Sequence, residues 1–149
     1  MKKLMLTGTA VAALAAGPAL AEDVQIGVIF GYTGPIESLT PQMADSAELA
    51  MAEINAAGGI LGGSMLQSVR ADSTCIDSAA ATAAAERLIT AEGVDAIVGA
   101  DCSGVTIATL QNVAIPNGIL MISPSATSPA LTSIEDNGLF SRPAPSDAR

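Results

Sequence analysis

Two short runs concentrate the small polar groups of this 149-residue chain. The first reads Gly99-Ala100-Asp101-Cys102-Ser103-Gly104, the second Ile122-Ser123-Pro124-Ser125-Ala126-Thr127-Ser128-Pro129. Each follows an apolar stretch with strand character, over residues 94–98 and 119–122. Hydroxyls, a short carboxylate and open backbone suit capture of a small polar molecule by hydrogen bonds. The prolines of the second run fix φ and push Ser123 and Ser128 into extended shapes, which stiffens the loop. Catalysis has little to draw on. The chain holds no histidine, so Ser-His-Asp, Cys-His and histidine-ligated zinc sites cannot be built within it. Asp101, Cys102 and Ser103 imitate a nucleophile site, but no base is paired with them. Residues 72–77 lack the glycine and distal glutamate of a calcium loop. The glycines of 58–63 follow a helix rather than a strand and lack lysine, so they read as a turn rather than a phosphate loop. No metal or cofactor is expected.

For the two loops to meet, the elements around them must alternate. Residues 24–30 read as a first strand, nearly continuous in apolar residues. A helix follows over 41–55, with Thr40 as its N-cap, Pro41 at its first position and Met43, Ala47, Ala50, Met51 and Ile54 as its buried stripe. Gly58-Gly59 stop it. A second strand covers 65–71. A second helix covers 78–92, capped by Asp77 or Ser78, with Ala80, Ala84 and Leu88 facing the core and Gly93 ending it. The third strand, 94–98, leads into a helix over 104–113 that Pro116 ends. Asn117-Gly118 turn into the fourth strand, and 139–142 supply a fifth. Strands alternating with helices imply right-handed crossovers and an α/β fold, an open parallel sheet with helices on both faces. Ligands of such sheets bind beyond the carboxyl ends of the strands. Both polar runs lie there. Ser103 either grips a ligand or only caps its own helix. Asp45, Glu48 and Glu53 read as a solvated helix face.

The residues also carry a resemblance. Gly31-Tyr32-Thr33-Gly34-Pro35, Ile54-Asn55-Ala56-Ala57-Gly58-Gly59-Ile60-Leu61-Gly62, Cys102-Ser103-Gly104, Ile122 to Thr127 and Arg142-Pro143-Ala144-Pro145-Ser146-Asp147 occur in this order. Together they resemble the N-terminal lobe of a type I periplasmic binding protein, of the leucine/isoleucine/valine-binding family that feeds ABC importers. That likeness implies a Rossmann-like lobe and a ligand held between two hinged lobes. Its function would be to deliver a branched-chain or related amino acid to a membrane permease. A sensory receptor of the same fold, recognising an amide-type molecule, is the alternative; a hydrolase would need a base from elsewhere. By the resemblance, Ser103 and the backbone beside it hold the α-carboxylate. Thr127, Ser125, Ala126 and Cys102 complete the cradle, Ser125 through its backbone carbonyl. Tyr32 and Leu39 either border the ligand's side chain or pack in the core. Ser146-Asp147 read as the cap of a further helix, so residues 22–149 are expected to form one lobe, with the C-terminal lobe absent.

Lys2 and Lys3 precede an apolar run over 4–16, which Gly17-Pro18 break before Ala19-Leu20-Ala21. Residues 1–21 therefore read as a cleaved secretory signal peptide, with an apolar run too short to span a bilayer; a buried N-terminal helix is the competing reading. The expected location is the periplasm of a Gram-negative cell, without direct membrane insertion. Formal net charge is −9 at pH 7, and nucleic acid is not an expected partner because phosphate binding needs a basic face. Cys75 and Cys102 are the only cysteines. Both fall in loops after strands, in a chain routed to an oxidising compartment. A disulfide is the favoured reading, matching the family's pattern, and two free thiols are the alternative.

Overall fold

The computed structural model describes residues 22–148; the signal-peptide reading over 1–21 lies outside the described residues. β1 (Val24–Phe30) is the apolar run of the sequence, and Val28, Ile29 and Phe30 are fully or almost fully buried. α1 (Thr40–Ala56), β2 (Leu66–Asp72), α2 (Ser78–Thr90), β3 (Ala96–Gly99) and α3 (Ser103–Thr109) follow. A π-helical turn, Leu110–Ala114, joins α3 to α4 (Ile115–Asn117), and β4 (Leu120–Ile122), α5 (Ala130–Ser133) and β5 (Phe140–Ser141) complete the chain. All neighbouring strands are parallel, in the order β2-β1-β3-β4-β5.

Side chains alternate across the sheet and divide the core in two. Ile29, Ile97 and Met121 face α2, α3 and the π turn, meeting Ala81, Ala85, Leu88, Val105, Leu110 and Val113. Val28 and Phe30 face the other way, against Ala44 and Met51 of α1. Burial of each large side chain stabilises the fold by roughly 1.5–3 kcal/mol. The expected fold class is observed. On the α1 side, Leu120 and Ile122 of β4 remain exposed.

Several local expectations shift. Thr40 does not cap α1; its hydroxyl donates to the Gly31 carbonyl at 2.9 Å, while Leu39 stands at the N-cap without a side-chain bond. In α1, Ala50 and Ile54 are exposed and Ala44 takes the central buried position. The stripe of α2 is Ala81, Ala85 and Leu88, one residue on from the alanines expected. Asp77 caps that helix as read, accepting from the Ala79 and Ala80 N–H groups. Pro116 does not end its helix. The π turn before it passes Ile115 N–H to the Leu110 carbonyl, and the chain turns at Gly118 in a left-handed conformation. The wider turn shifts the hydrogen-bond ladder just where proline, lacking an N–H, interrupts it. Asp45 and Glu48 are not merely solvated: Arg70 of β2 pairs with them at 2.6 and 2.7 Å. That bond holds the Glu48 carboxyl below its ordinary range. Such exposed pairs typically contribute about 0–1 kcal/mol.

Gly99 of β3 pairs with Ile29 of β1 and has no room for a side chain. Its φ is +129°, and a Cβ there would lie 2.0 Å from the Ile29 carbonyl oxygen. Gly104, inside α3, has open space around the same position. We predict that Gly99→Ala costs at least about 2 kcal/mol or prevents folding, whereas Gly104→Ala is neutral or stabilising by about 0.5–1 kcal/mol. Urea unfolding of both variants in the full-length protein checks the contrast.

Candidate functional site

Because every strand runs the same way, the loops after β1, β2, β3 and β4 gather at one edge. They are joined by Asp101. This residue is only 4% exposed, and its Oδ2 accepts from the Gly31 N–H at 2.7 Å. Its Oδ1 accepts from the Cys102 N–H at 2.8 Å and the Ser73 hydroxyl at 3.2 Å. Its backbone carbonyl takes the Ser125 hydroxyl at 3.0 Å. Three loops thus converge on one carboxylate and the fourth on its main chain. Gly31 leaves the room for this: a Cβ there would sit 3.1 Å from Cys75 Cβ and 3.2 Å from Asp101 Oδ2. A disulfide joins Cys75 to Cys102, with Cα atoms 5.2 Å apart and a sequence separation of 27. In the chain-entropy account, closing such a loop stabilises by about 3.5 kcal/mol.

Ser103 begins α3 but does not cap it. Cys102 is the N-cap, and it makes no side-chain bond to the helix. The Ser103 oxygen instead accepts the N–H groups of Thr127 at 3.1 Å and Ser128 at 3.0 Å, tying the two polar runs together. A hydroxyl has two acceptor positions and one proton. With both positions filled, Ser103 can only donate to anything that approaches. The first N–H groups of α3, at Ser103 and Gly104, have no intrahelical acceptor. Thr127 is engaged further: its hydroxyl donates to Asp147 at 2.8 Å, and its carbonyl takes the Asp147 N–H at 2.9 Å. Asp147 fastens the segment onto the loop, and the Ser146 hydroxyl oxygen accepts the Ala148 N–H at 3.2 Å.

The remaining candidates separate. Ser125 is exposed at the loop crest, with its hydroxyl turned back to Asp101. Ala126 is fully buried, its N–H on the Ser123 hydroxyl and its carbonyl on Arg142, so it presents no free polar group to the cradle. Cys102 likewise spends its sulfur on the disulfide and its carbonyl on Thr106. Sequence reasoning missed Asp101 as the hub and Arg142 as the clamp behind the loop. The partners of both are remote in sequence, and no local pattern marks them.

The chain as a whole matches a family. The model of the periplasmic binding protein family matches residues 23–146. This chain belongs to that family. It is 37% identical over 127 residues to the Leu/Ile/Val-binding protein BraC3 of Rhizobium johnstonii, covering 85% of this chain and 34% of the relative. It is 36% identical over 137 residues to the Leu/Ile/Val-binding protein of Escherichia coli K12, covering 88% and 36%. Among solved structures it is similar to the branched-chain amino acid transporter substrate binding protein LivJ of Streptococcus pneumoniae in complex with isoleucine. There the TM-score is 0.76 at 33% identity, over 85% of this chain and 35% of that one. The chain thus spans about a third of the length of these relatives.

In this periplasmic binding protein chain, Tyr32 and Leu39 do not behave alike. Leu39 is 60% exposed. Tyr32 is half-buried on the α1 side, edge-on to Phe30 with ring centroids 6.4 Å apart, and its hydroxyl donates to the Val28 carbonyl at 3.3 Å. Burial pushes its phenol up to about 12, against the opposing pull of Arg70, whose guanidinium carbon lies 5.8 Å from the ring centroid. Burial would also raise the Asp72 carboxyl, but bonds from the Thr33 hydroxyl and the Thr74 and Thr33 N–H groups hold it below its ordinary value. A hollow of about 650 Å³ lies at the opposite, amino edge of the sheet, lined by Glu22, Asp23, Glu92 and Asp95. Four carboxylates repel an anionic group, so that hollow is not the counterpart of the Ser103 cradle. Among the described residues no acidic, cysteine or histidine cluster is arranged to hold a metal, and no helix is long and apolar enough to cross a membrane.

Asp101→Asn places an amide NH₂ against a buried N–H. We expect it to cost about 1–3 kcal/mol, and Asp101→Ala to cost more because every donor loses its acceptor; denaturant midpoints measure both. Tyr32, the one tyrosine of the chain, reports separately. A phenol whose folded pKa is raised favours the fold while neutral. That contribution is therefore whole below pH 10 and lost as pH rises through about 12. Tyrosinate absorbance of the folded protein should titrate near 12 and fall toward 10 on denaturation.

Proposed function

We propose that this chain is the N-terminal lobe of the substrate-binding component of an ABC importer, acting in the periplasm after removal of residues 1–21. The ligand is a branched-chain or related amino acid, closed between this lobe and a second one that hinges over it, and the closed form docks on a membrane permease. One observation carries this reading: Ser103 holds a hydroxyl whose acceptor positions are filled from within. Beside it stand the unpaired N–H groups of the first turn of α3. That set donates and does not accept, which matches a carboxylate and disfavours an ammonium group. The Ser125 carbonyl and the Thr127 hydroxyl oxygen, at the rim, supply acceptors for the α-ammonium. The names of the Rhizobium and Escherichia relatives and of the isoleucine-bound structure point to the same ligand class.

The same constraint argues against a nucleophilic role for Ser103. A nucleophile needs a base to take its proton and a lone pair free to attack. Both lone pairs of Ser103 face N–H donors instead. The reading therefore has no catalytic step.

Calorimetric titration of the full-length protein with leucine, isoleucine and valine is the test. We expect binding that Ser103→Ala weakens about ten- to a hundredfold, since a hydrogen bond to a charged group contributes about 1.5–3 kcal/mol. Unchanged affinity in that variant, or tighter binding of an amide than of the amino acid, would reject the carboxylate grip and favour a sensory receptor of the same fold.

A further inference from the structure

An acidic chain that captures a carboxylate needs a source of positive field, and the arginines of this one are unequally used. Arg70 and Arg87 each pair with carboxylates. Arg142 does not. Its Nη1 donates to the carbonyls of Ala126 at 3.0 Å and Ser128 at 2.9 Å, and its Nη2 to the Thr132 hydroxyl at 2.7 Å. Every one of these partners is neutral. Among the described residues no carboxylate oxygen lies within 4.0 Å of the guanidinium.

The two carbonyls flank Thr127. The carbonyl of Ala126 shares a peptide unit with the Thr127 N–H, and that N–H is one of the two donors that fill Ser103. The peptide plane is therefore pinned at both ends, by the arginine at its oxygen and by the serine at its nitrogen. A cation on the carbonyl polarises the amide and strengthens its N–H as a donor, as chains of hydrogen bonds do in a low-dielectric setting. The Ser128 carbonyl holds the far side of the loop in the same grip. An arginine fork can hold this geometry; a lysine point charge cannot hold all three acceptors in one plane.

We infer that Arg142, without touching the ligand, is a positioning residue for carboxylate recognition. It fixes the 126–128 loop so that Ser103 can only donate, and it keeps its own charge uncancelled behind the place where the anion sits. This rests on the amino-acid-binding reading above.

The test titrates the full-length protein with leucine and with leucinamide, which keeps the ammonium and side chain but lacks the anion. The wild type should prefer leucine. Arg142→Met should lower that preference at least tenfold, and Arg142→Lys should restore part of it. In a Ser103→Ala background, Arg142→Met should lower the preference less than it does in the wild type, because the serine it positions is gone and only the loss of its charge remains. Equal weakening of both ligands would show a merely structural arginine and overturn the inference, as would an unchanged preference. Should Arg142→Met fail to fold, Arg142→Lys decides alone, and a leucine-to-leucinamide ratio equal to the wild type's overturns the inference. A wild type that binds no amino acid removes the functional reading itself, whereas a wild type that prefers leucine with an insensitive Arg142 removes only the role given to this residue.

Discussion

Asp101 is almost sealed from water, yet it sits where the loops after three strands come together. Taking a carboxylate out of water costs several kcal/mol unless hydrogen bonds replace its hydration. Here the replacements come from Gly31, Ser73 and Cys102, so the cost of burial is offset only when all three loops hold one arrangement. The constraint propagates. Gly31 must lack a side chain to reach the carboxylate, and Cys75, pressed against Gly31, is then within bonding reach of Cys102. Ser103 follows directly on Cys102, so the cradle stands on this junction and not on the loops' own stiffness.

The order of strands makes the junction a crevice. The chain leaves β1 toward α1 on one face of the sheet and leaves β3 toward α3 on the other, and these two strands are neighbours. Loops that part in opposite directions from adjacent strands open a gap between them, which is where ligands of open parallel sheets lie. The two core clusters pack against the two faces of the sheet on either side of that gap. Function is thus carried by short loops, while rigidity comes from buried Val28, Ile29, Phe30, Ile97 and Met121 directly behind them.

Polarity in the cradle is set by saturation more than by residue type. Serine donates or accepts with equal ease in water. Once Thr127 and Ser128 fill its acceptor positions, Ser103 has only one direction left. The same accounting limits Ala126, whose polar groups are consumed by Ser123 and Arg142. Net charge plays a lesser part. A formal charge of −9 is spread over the whole chain, whereas the Ser103 hydroxyl is left only to donate.

The sequence by itself determined what depends on near neighbours. Apolar continuity marked β1 to the residue, Asp77 announced the start of α2, and alternation of strands and helices required a parallel sheet with its polar loops on one edge. Phase was less legible where the residues are alike. In α2, a run rich in alanine offers no apolar contrast, so Ala81 and Ala85 could not be told from Ala80 and Ala84. Thr40 has the chemistry of a cap, but its choice of the Gly31 carbonyl is a matter of where another loop lies. The tertiary structure alone decided the bonds that make the site. Gly31 and Asp101 are 70 residues apart, Ser103 and Thr127 are 24 apart, and Arg142 reaches Ala126 across 16. Local propensity extends over a few residues, whereas a buried carboxylate, a filled hydroxyl and an arginine held by neutral oxygens are defined by partners that only folding brings within 3 Å or so of them.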